Sequence, residues 1–405
     1  MKYIDGGVTA PCGFSANGVL SGIKAGRTKP DTALIYSEKP CVAAAVFTQN
    51  KVKAECVKLS KKHIENGIAQ AVIVNSGNAN ACTGELGYQA ALRMAKSTAE
   101  QLNLKEEDVL VCSTGVIGQQ LPVEKIESKV ATLASGLSKD GHKLAREAIM
   151  TTDTKYKEIS VEFEIDGKTV HMGTMAKGSG MIHINMGTML GFITTDCAIS
   201  HEMLEKALKE SVASTYNCVS VDGDTSTNDT LLILANGMAE NKEITCEGED
   251  FDIFFAALNE INRKMARKIA ADGEGAEHLI ECKISGAASV EDARILAKSV
   301  ISSSLVKAAF FGKDANWGRI LCAMGYSGVN FNTETVSAGF SSSAGYIQVC
   351  NKGTPVDFDE DKAKEILSQD EVSILIELTD GISEGEAWGC DLTYDYVKIN
   401  GDYRT

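Results

Sequence analysis

A glycine directly before a threonine, at the start of an apolar run, is a pair of residues that can do chemistry. Gly187 precedes Thr188, and Thr188-Met189-Leu190-Gly191-Phe192-Ile193-Thr194-Thr195 reads as a buried strand. A threonine hydroxyl is a weak nucleophile until a base sits beside it. Cutting the chain before Thr188 frees such a base, its own α-amine, whose unperturbed pKa of roughly 7.7–8.0 lies close to working pH. Gly187 has no Cβ, so it tolerates strained backbone angles and leaves its carbonyl open to attack by the Thr188 hydroxyl. The plainer reading of the same pair is an ordinary passage from loop to strand, and spacing alone favours it. Just upstream, Lys177-Gly178-Ser179-Gly180 sets one cation beside two glycines. The nearest histidine, His183, reads more simply as a loop residue than as a base.

Other stretches carry weaker chemistry. In Ser113-Thr114-Gly115-Val116-Ile117-Gly118, glycines at a strand end expose backbone N–H groups where an oxyanion hole can be built. Asn75-Ser76-Gly77-Asn78-Ala79-Asn80 is either a turn-rich connection or a wall of the site. Asp222, Asp224 and Asp229 crowd one stretch, but EF-hand spacing and its closing Glu are missing, so a loop is expected there. Glu274, between Gly273 and Gly275, reads as a solvated loop acid. A P-loop, a Rossmann glycine fingerprint and a Gly-x-Ser-x-Gly elbow are all lacking.

The elements that must position these residues follow from periodicity. Strands are expected at Val42–Thr48, Ala69–Val74 and Asp108–Cys112, and at Leu231–Leu234, Tyr346–Cys350 and Ser373–Leu378. Glu158–Ile165 and Lys168–Met175 flank Asp166-Gly167 as a hairpin that delivers Lys177. Helices are expected near Tyr88–Leu102, Val123–Gly136, His142–Ile149, Ser200–Tyr216, Asp250–Ala271, Ser289–Ala309 and Glu360–Leu367. In Asp250–Ala271, Phe254, Leu258, Ile261, Met265 and Ile269 share one face. Residues 6–27 read as irregular. A soft boundary near 285 divides a nucleophile-bearing region, 1–285, from a smaller one, 286–390, with 391–405 as a tail.

At 405 residues, 44% hydrophobic and 23% charged, the composition is that of a globular protein with ample core. A formal charge of −15 argues against nucleic-acid and anionic-membrane partners. No run reaches membrane-span length, and the amino terminus lacks a signal-peptide core, so a cytoplasmic location is expected. Twelve cysteines are scattered singly with no zinc spacing, which suggests reduced, buried residues and no metal site.

Lys177-Gly178-Ser179-Gly180-Met181-Ile182-His183-x-Asn185-Met186-x-Thr188-Met189-Leu190-x-Phe192 resembles the self-cleavage segment of the ornithine acetyltransferase family, the glutamate N-acetyltransferases of arginine biosynthesis. Ile184 stands where that family has proline, and Gly187 where it has alanine. The resemblance runs from Gly6-Gly7-Val8-Thr9-Ala10-Pro11 to Tyr403-Arg404-Thr405, through six motifs in order, among them Lys313-Asp314-Ala315-Asn316-Trp317-Gly318-Arg319. It implies an α/β layered sandwich of the N-terminal-nucleophile aminopeptidase type, self-cleaved at 187/188 into chains of 187 and 218 residues that assemble as an α2β2 heterotetramer. It implies acetyl transfer from N2-acetyl-L-ornithine to L-glutamate through Thr188, with Thr114 and Gly115 as the oxyanion hole. Substrate would be held by Thr151 (or Thr152), Lys177, Thr188, Glu274, Asn400 and Thr405. No cofactor or metal is implied, and acetyl-CoA stands as an optional second donor. Two rivals remain: an aminopeptidase or amidase of the same fold, and a binding protein that has lost its processing.

Overall fold

The computed structural model describes residues 1–24, 26–183 and 189–402. Strand and helix signals along the chain resolve into two mixed sheets with helices packed on them, an α/β fold. The first sheet runs Lys2–Ile4, Lys157–Ile165, Lys168–Lys177, Leu190–Thr195, Thr230–Ala235, Thr32–Phe47, Ile68–Asn78, Val109–Val116, with Phe14–Val19 paired beside Thr32–Phe47. The second runs Thr354–Pro355, Gly345–Asn351, Ser337–Ser342, Glu371–Glu377, Leu279–Ala287, Ser383–Cys390, Val219–Thr225, Ile182–His183.

The strand that opens two residues after Thr188 lies inside the first sheet. Leu190–Thr195 pairs antiparallel with Lys168–Lys177 and parallel with Thr230–Ala235, and every one of its residues is buried. A strand covered on both edges and both faces needs an unbroken apolar run rather than alternation, which is what the sequence supplies. Its register sets Lys177 opposite Leu190. Gly187 and Thr188 themselves lie outside the described residues.

The helix Glu249–Ala271 packs against strands of both sheets. Phe254, Leu258, Ile261, Met265 and Ile269 are fully buried on it, as the periodicity expects, and join Val161 and Met172 of the first sheet to Ile280 and Trp388 of the second. Burying each such side chain stabilises the fold by about 1.5–3 kcal/mol. Beside this helix, Glu281 accepts a hydrogen bond from Trp388 Nε1 at 2.9 Å and pairs with Arg267 and Lys283.

Several expectations need correction. Residues 6–27 contain the strand Phe14–Val19, held by the longer Thr32–Phe47 and by Asn17, whose amide reaches the carbonyls of Thr132 and Leu133. Val219–Thr225 is a strand rather than a loop. It takes its ladder partners from Ser383–Cys390 and Ile182–His183, both remote in sequence. The helix expected over Ser289–Ala309 is two, Val290–Ser302 and Ser304–Phe311. Ser303 adopts an extended conformation, and its hydroxyl caps the second helix through Val306 N–H. All twelve cysteines are free, eight buried and four exposed (Cys12, Cys82, Cys246 and Cys322), so burial is not general. Among the described residues no helix is long and apolar enough to cross a membrane.

Burial alone would raise the Glu281 carboxyl, but hydrogen bonds from Lys283 and Trp388 and the charge of Arg267 hold it down at about 2. A depressed carboxyl contributes stability above its unfolded pKa of about 4.3, and that contribution is lost as pH falls through the folded value. Glu281→Gln should therefore cost about 1–3 kcal/mol at pH 7. In urea titrations the gap to wild type should close between about pH 4 and pH 2; a gap independent of pH would contradict this account.

Candidate active site

Seven segments meet around a cavity of about 270 Å³. The strand Val109–Val116 ends there with Thr114 and Gly115. The backbone at Gly115 has φ +133°, and a Cβ would sit 2.3 Å from the carbonyl carbon of Gly77, so only glycine fits. The neighbouring strand braces this turn, since Ser76 pairs with Thr114 and Gly77 with Gly115. Asn75, Asn78 and Asn80 spend their amides on the carbonyls of Asn78, Gln119 and Gly87. None of them lines the cavity, so that loop is a structural brace.

Lys177 ends the strand Lys168–Lys177, and its ammonium lies 3.4 Å from Thr114 Oγ1, to which it donates. It is 9% exposed. Burial lowers its pKa, and nearby Lys157 adds to that, while Asp153, Asp229 and Glu274 oppose it. Behind it lies a buried cluster in which Lys157 bridges Asp153, at 2.8 Å, and Asp272. Asp153 Oδ1 also accepts from Gly178 N–H at 2.7 Å, and its Oδ2 accepts from Thr151 N–H at 3.1 Å. Asp272 takes the N–H groups of Thr154 and Lys155. Thr151 and Thr152 both line the cavity.

Glu274 follows the helix Glu249–Ala271 and is buried, with its N–H on the Ser179 carbonyl at 3.0 Å. A Cβ on Gly180 would lie 2.2 Å from the Glu274 carboxyl, so the second glycine of Lys177-Gly178-Ser179-Gly180 is what admits this acid. From the tail helix Tyr394–Asp402, Asn400 Nδ2 donates to Glu274 Oε2 at 2.7 Å. The helix rests against Gly275, where φ is +69° and a Cβ would strike Tyr396 N at 2.6 Å. Thr405 lies outside the described residues.

The sequence reading missed the lining contributed by Asp222, Asp224 and residues 226–229, together with Met181 and Tyr396. The crowded aspartates were the available signal. Asp222 does not need a cation to explain it, because its carboxylate accepts the N–H groups of Met181 at 2.6 Å and Ile182 at 2.8 Å. Burial raises its pKa against those bonds. Asn228 fixes the strand Val109–Val116 from the other side, donating to the Ser113 carbonyl at 2.8 Å. Among the described lining residues Lys177 is the one cation, facing Asp222, Asp224, Asp229 and Glu274. Such a cavity suits a small ligand with one carboxylate and an ammonium group. His183 lies outside the lining; its Nδ1 is 3.0 Å from Ser220 Oγ, and burial, with Lys298 nearby, lowers its pKa to about 4.

With this geometry in place, similarity to known proteins becomes informative. The ArgJ family model matches residues 15–405. The arginine biosynthesis bifunctional protein ArgJ of Caldanaerobacter subterraneus is 52% identical over the whole of both chains. ArgJ 1 of Clostridium acetobutylicum is 54% identical over 97% of this chain and 96% of its own. The crystal structure of ArgJ from Bacillus halodurans, 46% identical, superposes with a TM-score of 0.51, covering 53% of this chain and 100% of that one.

Removing Lys157 would leave Asp153 and Asp272 buried without their shared partner. Lys157→Met should cost about 3–5 kcal/mol in chemical denaturation. A loss below about 1 kcal/mol would mean that the pair is not charged in the folded protein.

Proposed function

The chain belongs to the ArgJ family, the acyltransferases of arginine biosynthesis, and from that premise we propose that it moves acetyl from N2-acetyl-L-ornithine to L-glutamate through an acetyl-Thr188 intermediate. A cut between Gly187 and Thr188 comes first and frees the Thr188 amine. That amine takes the proton of the Thr188 hydroxyl as the oxygen attacks the acetyl carbonyl. Thr114 and the Gly115 N–H stabilise the tetrahedral oxyanion. Collapse breaks the C–N bond, the amine returns its proton to ornithine, and glutamate then takes the acetyl by the same steps in reverse.

The observation that carries this reading is the meeting of Thr114, Gly115, Lys177, Glu274 and Asn400 on one cavity, beside the strand that Thr188 leads into. Lys177 holds the α-carboxylate common to donor and acceptor. Glu274, oriented by Asn400, holds an ammonium group. The opposed charges favour a free amino acid over the peptide that a related amidase would take. The named relatives are described as bifunctional, and acetyl-CoA is the second donor in this proposal. Two cleaved copies forming an α2β2 assembly in the cytoplasm complete it.

Thr188→Ala should abolish both cleavage and transfer, giving one band on a denaturing gel where wild type gives two. Thr114→Ala should retain activity lowered by about 10²–10³. An active wild-type preparation that is wholly uncut would overturn the mechanism.

Burial, with Lys298 nearby, lowers the His183 pKa to about 4, which argues against it as the source of an activity step near neutrality. Activity should rise with pH through one step set by the Thr188 amine, roughly 7.7–8.0 if unperturbed and lower if the Lys177 cation lies close, since a like charge disfavours the protonated form. In His183→Gln this step should keep its position. Its disappearance from a variant still cleaved at Thr188 would make histidine the base.

A further inference from the structure

We propose that Glu277, His278 and Asp391 form a binding site for one divalent first-row metal ion, which clasps the tail to the loop carrying Glu274. One ligand atom from each of the three lies within 4.8 Å of the other two. Glu277 and His278 directly follow the Asp272–Ala276 loop, and Asp391 follows the strand Ser383–Cys390, whose Cys390 pairs with Leu279. Asp391 is 113 positions from His278, which is why no spacing motif reveals the group.

Two separate observations point to a ligand. Asp391 Oδ1 is fixed by the N–H groups of Glu277, at 2.9 Å, and His278, at 3.0 Å, yet its Oδ2 is buried with no hydrogen-bond partner. His278 Nδ1 lies 2.8 Å from the Gln369 carbonyl. A ring nitrogen facing a carbonyl carries a proton, so in the neutral imidazole Nε2 holds the lone pair, and Nε2 is buried without a partner. His278 and Asp391 are 5% and 3% exposed. A buried acceptor left unmatched costs about 1–3 kcal/mol, so two in one cluster call for a positive charge or for donors. Lys307, a buried ammonium on the helix Ser304–Phe311, is committed to the Cys390 carbonyl.

A histidine whose far nitrogen donates to a backbone carbonyl has the tautomer and orientation of a metal ligand. One imidazole and two carboxylates suit an ion of the manganese or zinc class, with water filling the remaining positions through the exposed Glu277 side. Such an ion would act on the tail. Thr393 Oγ1 already donates to the Gly275 carbonyl at 2.7 Å, and Asn400 meets Glu274 further along. The competing occupant is a buried water donating to both acceptors.

The test uses the full-length processed protein, stripped on a chelating resin and titrated with Mn²⁺. Manganese is chosen because exposed thiols would capture softer ions. The electron paramagnetic resonance signal of free Mn²⁺ should fall with one saturable site per chain, and the melting temperature should rise with Mn²⁺. His278→Gln should weaken binding by at least about tenfold and remove the thermal shift. Glu277→Gln, at an exposed position, gives the same readout if the first variant does not fold. The absence of a saturable site, leaving water as the occupant, would overturn the proposal. So would variants that bind Mn²⁺ as tightly as wild type, placing the ion elsewhere, as at Asp222 and Asp224. None of these outcomes depends on acetyl transfer.

Discussion

One buried ammonium sets the geometry around the cavity. Lys157 is 1% exposed and bridges Asp153 and Asp272, and an ion pair removed from water persists only where every remaining lone pair is also met. Those lone pairs are met by backbone, and the backbone concerned is that of the site. Asp153 takes the N–H groups of Thr151 and Gly178, so the threonine loop and the residue after Lys177 are fixed by one carboxylate. Asp272 takes Thr154 and Lys155, while its own carbonyl accepts the Ser179 hydroxyl at 2.6 Å, two residues before Glu274. Desolvation would raise the Asp153 carboxyl, and Lys157 and Lys177 hold it instead at about 2. The cation lining the cavity is thus part of the charge balance beneath it.

The same economy explains the glycines. Gly180 and Gly115 are sites of close approach, one to the Glu274 carboxyl and one to the Gly77 backbone. At Gly180 a side chain would displace a carboxyl that lines the cavity, and at Gly115 it would strike the neighbouring strand that braces the turn. The cavity is polarised as a result, with Lys177 beside Thr114 and carboxylates on the segments around it. A zwitterionic ligand entering it has one orientation that matches both ends.

Much of this was legible in the sequence, and the division follows physical range. The hairpin about Asp166-Gly167 and the helix ending at Ala271 are specified by local periodicity, and they stand where expected. Thr114, Gly115, Lys177, Glu274 and Asn400 were reached by motif resemblance, and they share one cavity. The strand Val219–Thr225 was not legible, because its polar residues describe a loop and its pairing partners lie far away in sequence. The sequence set aside a cation site at Asp222 on spacing alone, and the carboxylate there caps two backbone N–H groups, a role no spacing motif announces. The break at Ser303 was missed because helical periodicity continues across it, and only the cap betrays it.

The order of strands in the first sheet differs from their order in the chain, and this bears on synthesis. Thr32–Phe47 finds partners in Phe14–Val19 and Ile68–Asn78 early, but Thr230–Ala235, which pairs with Val42–Phe47, is translated only after the helix His201–Ser214. Leu190–Thr195 must likewise wait for that same strand before both its edges are covered. Thr114 and Lys177, 63 positions apart, can meet while the ribosome is still making the second sheet; Glu274 and Asn400, 126 apart, cannot. A nascent chain therefore carries an unfinished cavity for a long interval. The cavity is completed only when the chain reaches the helix Tyr394–Asp402, which brings Tyr396 and Asn400 to its lining.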